Sequence, residues 1–126
     1  MMTVAAVALG GALGALTRYV LAVRVYAWLG IDFPWGTLGV NVIGSLLLGV
    51  VIALIEDRGL FSPEARAFLA IGFLGGMTTF STFVYEGWEF TRDGEILRAG
   101  AYAALSLLGA FAAFTFGHAL VRVLER

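Results

Sequence analysis

Charge is missing from four long stretches of this chain, residues 1–17, 33–55, 67–85 and 99–121, taking His118 as neutral. An α-helix needs about 20 apolar residues to cross a hydrocarbon core, and each stretch comes close to that length. Within a bilayer, a helix satisfies its own backbone hydrogen bonds and an isolated strand does not. Four such runs in 126 residues leave only short connections and no room for a soluble domain. The fold class is therefore an all-α membrane protein with four transmembrane helices. It forms a single domain over residues 1–126, with spans at about 3–23, 35–55, 66–90 and 96–121. A hydrophobic content of 60% against 13% charged residues, with mean hydropathy +0.93, belongs to the same class.

The same features set other classes aside. Nothing basic precedes the first run and no polar cleavage region follows it before Arg18, so it reads as a span rather than a secretory signal. Without cysteine, disulfides and thiolate metal sites drop out. A net charge of −1 gives no reason to expect nucleic acid as a partner. There is no phosphate-cradling or dinucleotide-binding glycine pattern, and His118 has no second ligand at metal spacing, so an enzyme is not expected.

The polar residues inside the spans carry the functional information. Gly10-Gly11-Ala12-Leu13-Gly14 puts small residues four apart, the spacing that lets membrane helices approach closely. Arg18, near the end of the first span, either snorkels to the interface or attracts anions from a vestibule. Tyr26, Trp28, Phe33 and Trp35 form an aromatic cluster of the kind found at headgroup depth, and Pro34 suits a helix start. Asn41 in the second span is costly in hydrocarbon unless partnered; it either glues the bundle or lines a pore. Ser62-Pro63-Glu64 is a helix-start signal for the third span. Tyr102 and Ser106 stand four apart on one face of the fourth.

The third run holds Gly72-Phe73-Leu74-Gly75-Gly76-Met77-Thr78-Thr79-Phe80-Ser81-Thr82-Phe83. Glycine and consecutive threonines are weak helix formers, which predicts a break near residues 75–79, close to mid-membrane. Either threonine hydroxyls bond back to the freed carbonyls, or those carbonyls face a small cation. Beyond the break, Thr79, Thr82 and Glu86 fall at i, i+3 and i+7, a polar track climbing roughly 10 Å at 1.5 Å per residue. Phe80 and Phe83 lie on a neighbouring face, where they either pack or turn positive ring edges toward an anion.

All eight basic residues are arginine. With four spans, Arg58, Arg66, Arg122 and Arg126 share one side, and Arg18, Arg24, Arg92 and Arg98 share the other. A four-to-four balance gives the positive-inside rule nothing to act on. Such a chain is expected to insert both ways round and to pair as an antiparallel (dual-topology) homodimer. Its two-fold axis then lies in the membrane plane, where the third-span breaks of two copies meet.

Gly11-Ala12-Leu13-Gly14-Ala15-Leu16-Thr17-Arg18-Tyr19, then Gly36-Thr37-Leu38-Gly39-Val40-Asn41-Val42-Ile43-Gly44-Ser45, then residues 72–83 resemble the three motifs of the Fluc (CrcB) fluoride channels. The resemblance extends over the whole chain in length, span number and motif order, and Gly-Gly-Met-Thr-Thr-Phe-Ser-Thr-Phe is its most specific part. It implies a multi-pass protein of the cell inner membrane, a dual-topology homodimer with two antiparallel pores that let fluoride leave passively and so limit its toxicity. By matching position, Phe80 and Phe83 are the pore phenylalanines and Asn41 the pore amide. Thr79, Ser81, Thr82, Tyr102 and Ser106 are polar pore residues, and Glu86 ends the track. Arg18 matches a vestibule arginine, and the Gly75 and Thr78 carbonyls hold a central structural sodium ion. The implied partners are fluoride, membrane lipid and a second copy of the chain.

Two other readings remain at this level. A small dual-topology multidrug exporter shares the four spans but relies on a carboxylate embedded in its first span, where this chain has no acid. A non-conducting membrane scaffold explains the glycines but leaves Asn41 and the hydroxyl track as unexplained costs.

Overall fold

A computed structural model describes residues 1–124; Arg126, counted in the arginine balance, lies outside the described residues. Four helical segments are long and apolar enough to cross a membrane: Met2–Leu29, Trp35–Arg58, Pro63–Arg92 and Ile96–Leu124. We label Met2–Leu29 α1 and Trp35–Arg58 α2. The third segment comprises α3 (63–77) and α4 (Phe80–Arg92), and α5 is Ile96–Leu124. Within α3 the turn Pro63–Arg66 is α-helical, Ala67–Leu74 is π-helical and Gly75–Met77 is α-helical again.

Local chemistry sets most of the ends. Ser62 caps α3 by accepting from the Ala65 amide at 3.2 Å, with Pro63 in the first turn. Pro34 precedes α2, and Gly59 closes it in the left-handed conformation (φ 58°), which glycine adopts at no steric cost. Helix α1 runs on to Leu29, past Arg24, so Tyr26 and Trp28 lie on its last turns and not in a connection. Charge spacing marks where apolar sequence ends; helical hydrogen bonding continues into the interface.

Lipid tails are as apolar as leucine, so these helices associate by close packing of small residues and not by hydrophobic exclusion. Two seams follow that rule. Along α1 and α3, a Cβ built on Gly10 would lie 2.5 Å from the Phe68 carbonyl oxygen, and one on Gly76 2.7 Å from that of Gly11. Between α2 and α5, the most extensive pairing in the fold, a Cβ on Gly49 would collide with the Phe114 carbonyl and one on Gly117 with that of Leu46. Only backbone fits at these contacts. The outer face of α1 presents Leu9, Leu13, Leu16 and Val20, all at least half exposed, as a multi-pass membrane protein requires. At the α2 and α5 C-terminal ends, Arg122 donates to both Asp57 oxygens at 2.9 and 3.1 Å, and His118 Nε2 lies 3.3 Å from Glu56 Oε2.

Candidate functional site

The third segment leaves helical geometry at two residues. Thr78 (φ −86°, ψ 157°) and Thr79 (φ −149°, ψ 121°) are extended, while Gly75–Met77 before them stays helical. Threonine tolerates extended backbone well, so the change of direction falls on the threonines and not on the glycines. In an unbroken helix the Thr79 N–H would donate to the Gly75 carbonyl. Here it donates to Asn41 Oδ1 at 2.7 Å, and Asn41 Nδ2 donates to the Thr79 carbonyl at 2.9 Å. The asparagine side chain thus replaces a neighbouring strand, satisfying both backbone groups of the residue that departs most from the helix.

Thr79 then starts α4. Its hydroxyl accepts from the Thr82 amide at 3.3 Å and donates to Thr82 Oγ1 at 3.0 Å. Thr78 turns its own hydroxyl to the Leu74 carbonyl at 3.0 Å, but that carbonyl also accepts from the Thr78 N–H at 3.0 Å, so it is not one of the carbonyls the break frees. The break therefore opposes two helix ends. The carbonyl end of α3 is partially negative, and the N-terminus of the 13-residue α4 is partially positive.

Two partly open cavities flank this peptide and share Thr79. One, of about 260 Å³, is lined by Asn41, Thr78, Thr79, Phe80, Phe83 and Ser106, with Gly75 on its wall. The Phe80 and Phe83 ring centroids are 5.4 Å apart, at 46°, and Phe80 is 70% exposed in the single chain. Ser106 is buried at 6% exposure, and its Oγ has no hydrogen-bond partner among the described residues. The other cavity, of about 370 Å³, has Arg18, Tyr26, Thr37, Thr79, Thr82 and Glu86 in its lining beside apolar residues such as Ala15, Ala22 and Val40. Glu86 accepts from three side chains here. Thr37 donates to its Oε1 at 2.7 Å, Tyr26 to the same oxygen at 3.4 Å, and Tyr102 to Oε2 at 2.6 Å.

The family profile described as "CrcB-like protein, Camphor Resistance (CrcB)" matches residues 5–118, nearly the whole chain. The chain belongs to the CrcB family. It is 49% identical over 116 residues to the "Fluoride-specific ion channel FluC" of Geobacter sulfurreducens, covering 89% of this chain and 94% of the relative. Against the protein of the same description from Thermus thermophilus it is 50% identical over 119 residues, covering 91% and 93%. The Hydrogenovibrio crunogenus relative, so described too, is 49% identical over 108 residues, covering 85% and 82%.

In this CrcB chain the residues singled out by sequence are divided between the two cavities. Asn41, Phe80, Phe83 and Ser106 gather at the first; Arg18, Thr82 and Glu86 gather at the second, and Thr79 joins them. Tyr102 is fully buried between Phe33, Phe83 and Glu86, reaching the site through its hydroxyl. Ser81 is exposed at the start of α4, 3.4 Å from the Thr79 hydroxyl, and is not among the lining residues of either cavity. The sequence gives Thr37 no role of its own and Tyr26 only a place in the headgroup-depth aromatic cluster. Thr37 was detectable, because it stands one helical turn before Asn41, so that Thr37, Asn41 and Ser45 form an i, i+4, i+8 stripe. Tyr26 was not, because its role depends on α1 outlasting its uncharged run.

Proposed function

We propose that this protein is a fluoride-selective channel through which fluoride leaves the cell passively, a reading supported by the descriptions of its CrcB relatives. The observation that carries it is the Asn41-capped break, whose Thr79 lines both a phenylalanine-lined cavity and a hydroxyl-lined one. A strongly hydrated anion needs replacement contacts at each step. Amide and hydroxyl donors, the N-terminus of α4 and positive ring edges supply them without a fixed positive charge at the narrow part. Arg18 raises the local anion concentration at one entrance.

The working unit is an antiparallel, dual-topology homodimer in the inner membrane, with fluoride, lipid and a second copy as partners. The balanced arginines favour it, and so does Gly75. Gly72 and Gly76 are occupied against α1, whereas Gly75 faces open space with only the Ala70 carbonyl oxygen, 3.7 Å from a built Cβ. The break of the third span, placed at mid-membrane, then lies on the two-fold axis. A sodium ion would fit there, because the Thr79 N–H donates to Asn41 Oδ1 and not to the Gly75 carbonyl. The Gly75 and Thr78 carbonyls of two copies would supply hard oxygen ligands, and the cation would neutralise the opposed negative ends of α3. Purification and assay with sodium replaced throughout by a bulky organic cation is expected to weaken the dimer; an unchanged dimer would argue against the ion.

The rings provide the test of the pathway. Vesicles carrying Phe80→Ile or Phe83→Ile protein should release fluoride at least about tenfold more slowly than wild type while the protein elutes as the same dimer, because isoleucine fills the space without a ring edge. Wild-type rates in both variants would reduce the rings to packing.

A further inference from the structure

Tyr26 turns its hydroxyl into the bundle, toward Glu86. An interfacial tyrosine normally turns its hydroxyl to the headgroup water. Here a Cβ built on Gly36 would collide with ring atom Cε2 and lie 2.7 and 2.8 Å from Cζ and Cδ2, so the ring lies flat against the first turn of α2. That seat puts the hydroxyl beside Thr37 and 3.4 Å from Glu86 Oε1. The separation is long for an O–H···O bond, so the position of the hydroxyl comes from the ring's seat and not from the bond itself.

Glu86 is the residue for which this matters. It lines the cavity containing Arg18 and also an outer bowl of about 320 Å³ lined by Asp32, Glu89, Asp93, Glu95 and Arg98. A glutamate has three side-chain torsions and could swing toward either space. Tyr102 holds Oε2, but Thr37, the close donor on Oε1, is the third residue of α2 and has an alternative acceptor in the Pro34 carbonyl three residues before it. A carboxylate released into the Arg18 cavity would pair with the arginine or take the Thr82 hydroxyl, displacing an anion from both.

We propose that Tyr26 is a positioning residue: packed on Gly36, it supplies the second donor that keeps the Glu86 carboxylate at the boundary of the two spaces and off the hydroxyls an anion uses. The flux arm of its test rests on the channel reading above; the spectroscopic arm does not. Tyr26→Phe keeps the ring on Gly36 and removes only the hydroxyl. In reconstituted vesicles it should slow fluoride release about two- to threefold, the lower end for one lost hydrogen bond because this one is long, whereas Tyr85→Phe, whose hydroxyl serves Glu89, should not. In a Glu86→Gln background Tyr26→Phe should have no further effect. The 13C carboxyl resonance of Glu86, assigned as the signal lost in Glu86→Gln, should move in Tyr26→Phe and stay in Tyr85→Phe. Wild-type flux in Tyr26→Phe, a multiplied loss in the Glu86→Gln background, or an unmoved resonance each overturns the assignment. If the wild-type protein passes no fluoride, or Glu86→Gln alone stops it, the resonance decides.

Discussion

Asn41→Ala is expected to stop fluoride release almost completely and to lower the thermal stability of the purified protein. Alanine leaves the Thr79 N–H and carbonyl without the two bonds, 2.7 and 2.9 Å long, that stand in for helical pairing. Each buried backbone group left unpaired costs roughly 1–3 kcal/mol, so the break is destabilised by about 4 kcal/mol. At about 1.4 kcal/mol per tenfold, a loss of about 4 kcal/mol lowers the weight of the arranged conformation against its competitors by roughly several hundredfold. Asn41→Asp separates the two bonds: it keeps an acceptor for the Thr79 N–H but loses the donor and sets a carboxylate oxygen against a carbonyl. It should be nearly as inactive. Fluoride flux above about a tenth of wild type in Asn41→Ala, with an unchanged melting temperature, would show that the asparagine is not what holds the break.

The second large effect belongs to the α1–α3 seam. A Cβ on Gly14 would collide with the Phe73 carbonyl oxygen and lie 2.9 Å from the Met77 nitrogen, and neither is the end of a flexible side chain. Gly14→Ala must therefore push α1 away from the segment that leads into the break. Overpacking of this kind costs about 1–3 kcal/mol, occasionally more, and rigid backbone on both sides puts it at the upper end. The expected result is a poorly folded or aggregated sample by gel filtration. Gly87→Ala is the matched control. Nothing lies within 4 Å of its built Cβ, and replacing a mid-helix glycine should stabilise α4 by roughly 0.5–1 kcal/mol. Gly75→Ala separates chain from assembly: the single chain has space for it, so a variant that folds but fails to dimerise favours Gly75 at the two-fold axis.

Most of the architecture was legible because hydrocarbon imposes so few solutions. Four uncharged runs, the Ser62-Pro63 start and the small residues four apart in α1 lead to helix positions and one packing seam without reference to any contact. The unusual backbone at Thr78 and Thr79 could be anticipated to within a few residues, since weak helix formers cluster there. Which residue would turn could not, because that depends on Asn41, 38 positions away in sequence. The π-helical geometry of Ala67–Leu74 had no signature either; apart from Gly72 its residues are ordinary helix formers, and the geometry appears where α3 packs on the glycines of α1. Glu86 shows the same limit. Its place at i+7 from Thr79 was visible, whereas its donors come from α1, α2 and α5, and no local spacing brings Tyr26, Thr37 and Tyr102 together.

Selective conduction is the central claim, and efflux from vesicles measures it most directly. Purified protein is reconstituted at low density into vesicles loaded with equal fluoride and chloride, and release of each is followed with ion-selective electrodes after a potassium ionophore sets the voltage. Fluoride is expected to leave every vesicle that contains protein rapidly, with chloride retained on the same timescale. Equal release of the two anions, or fluoride release no faster than from empty vesicles, would contradict the claim.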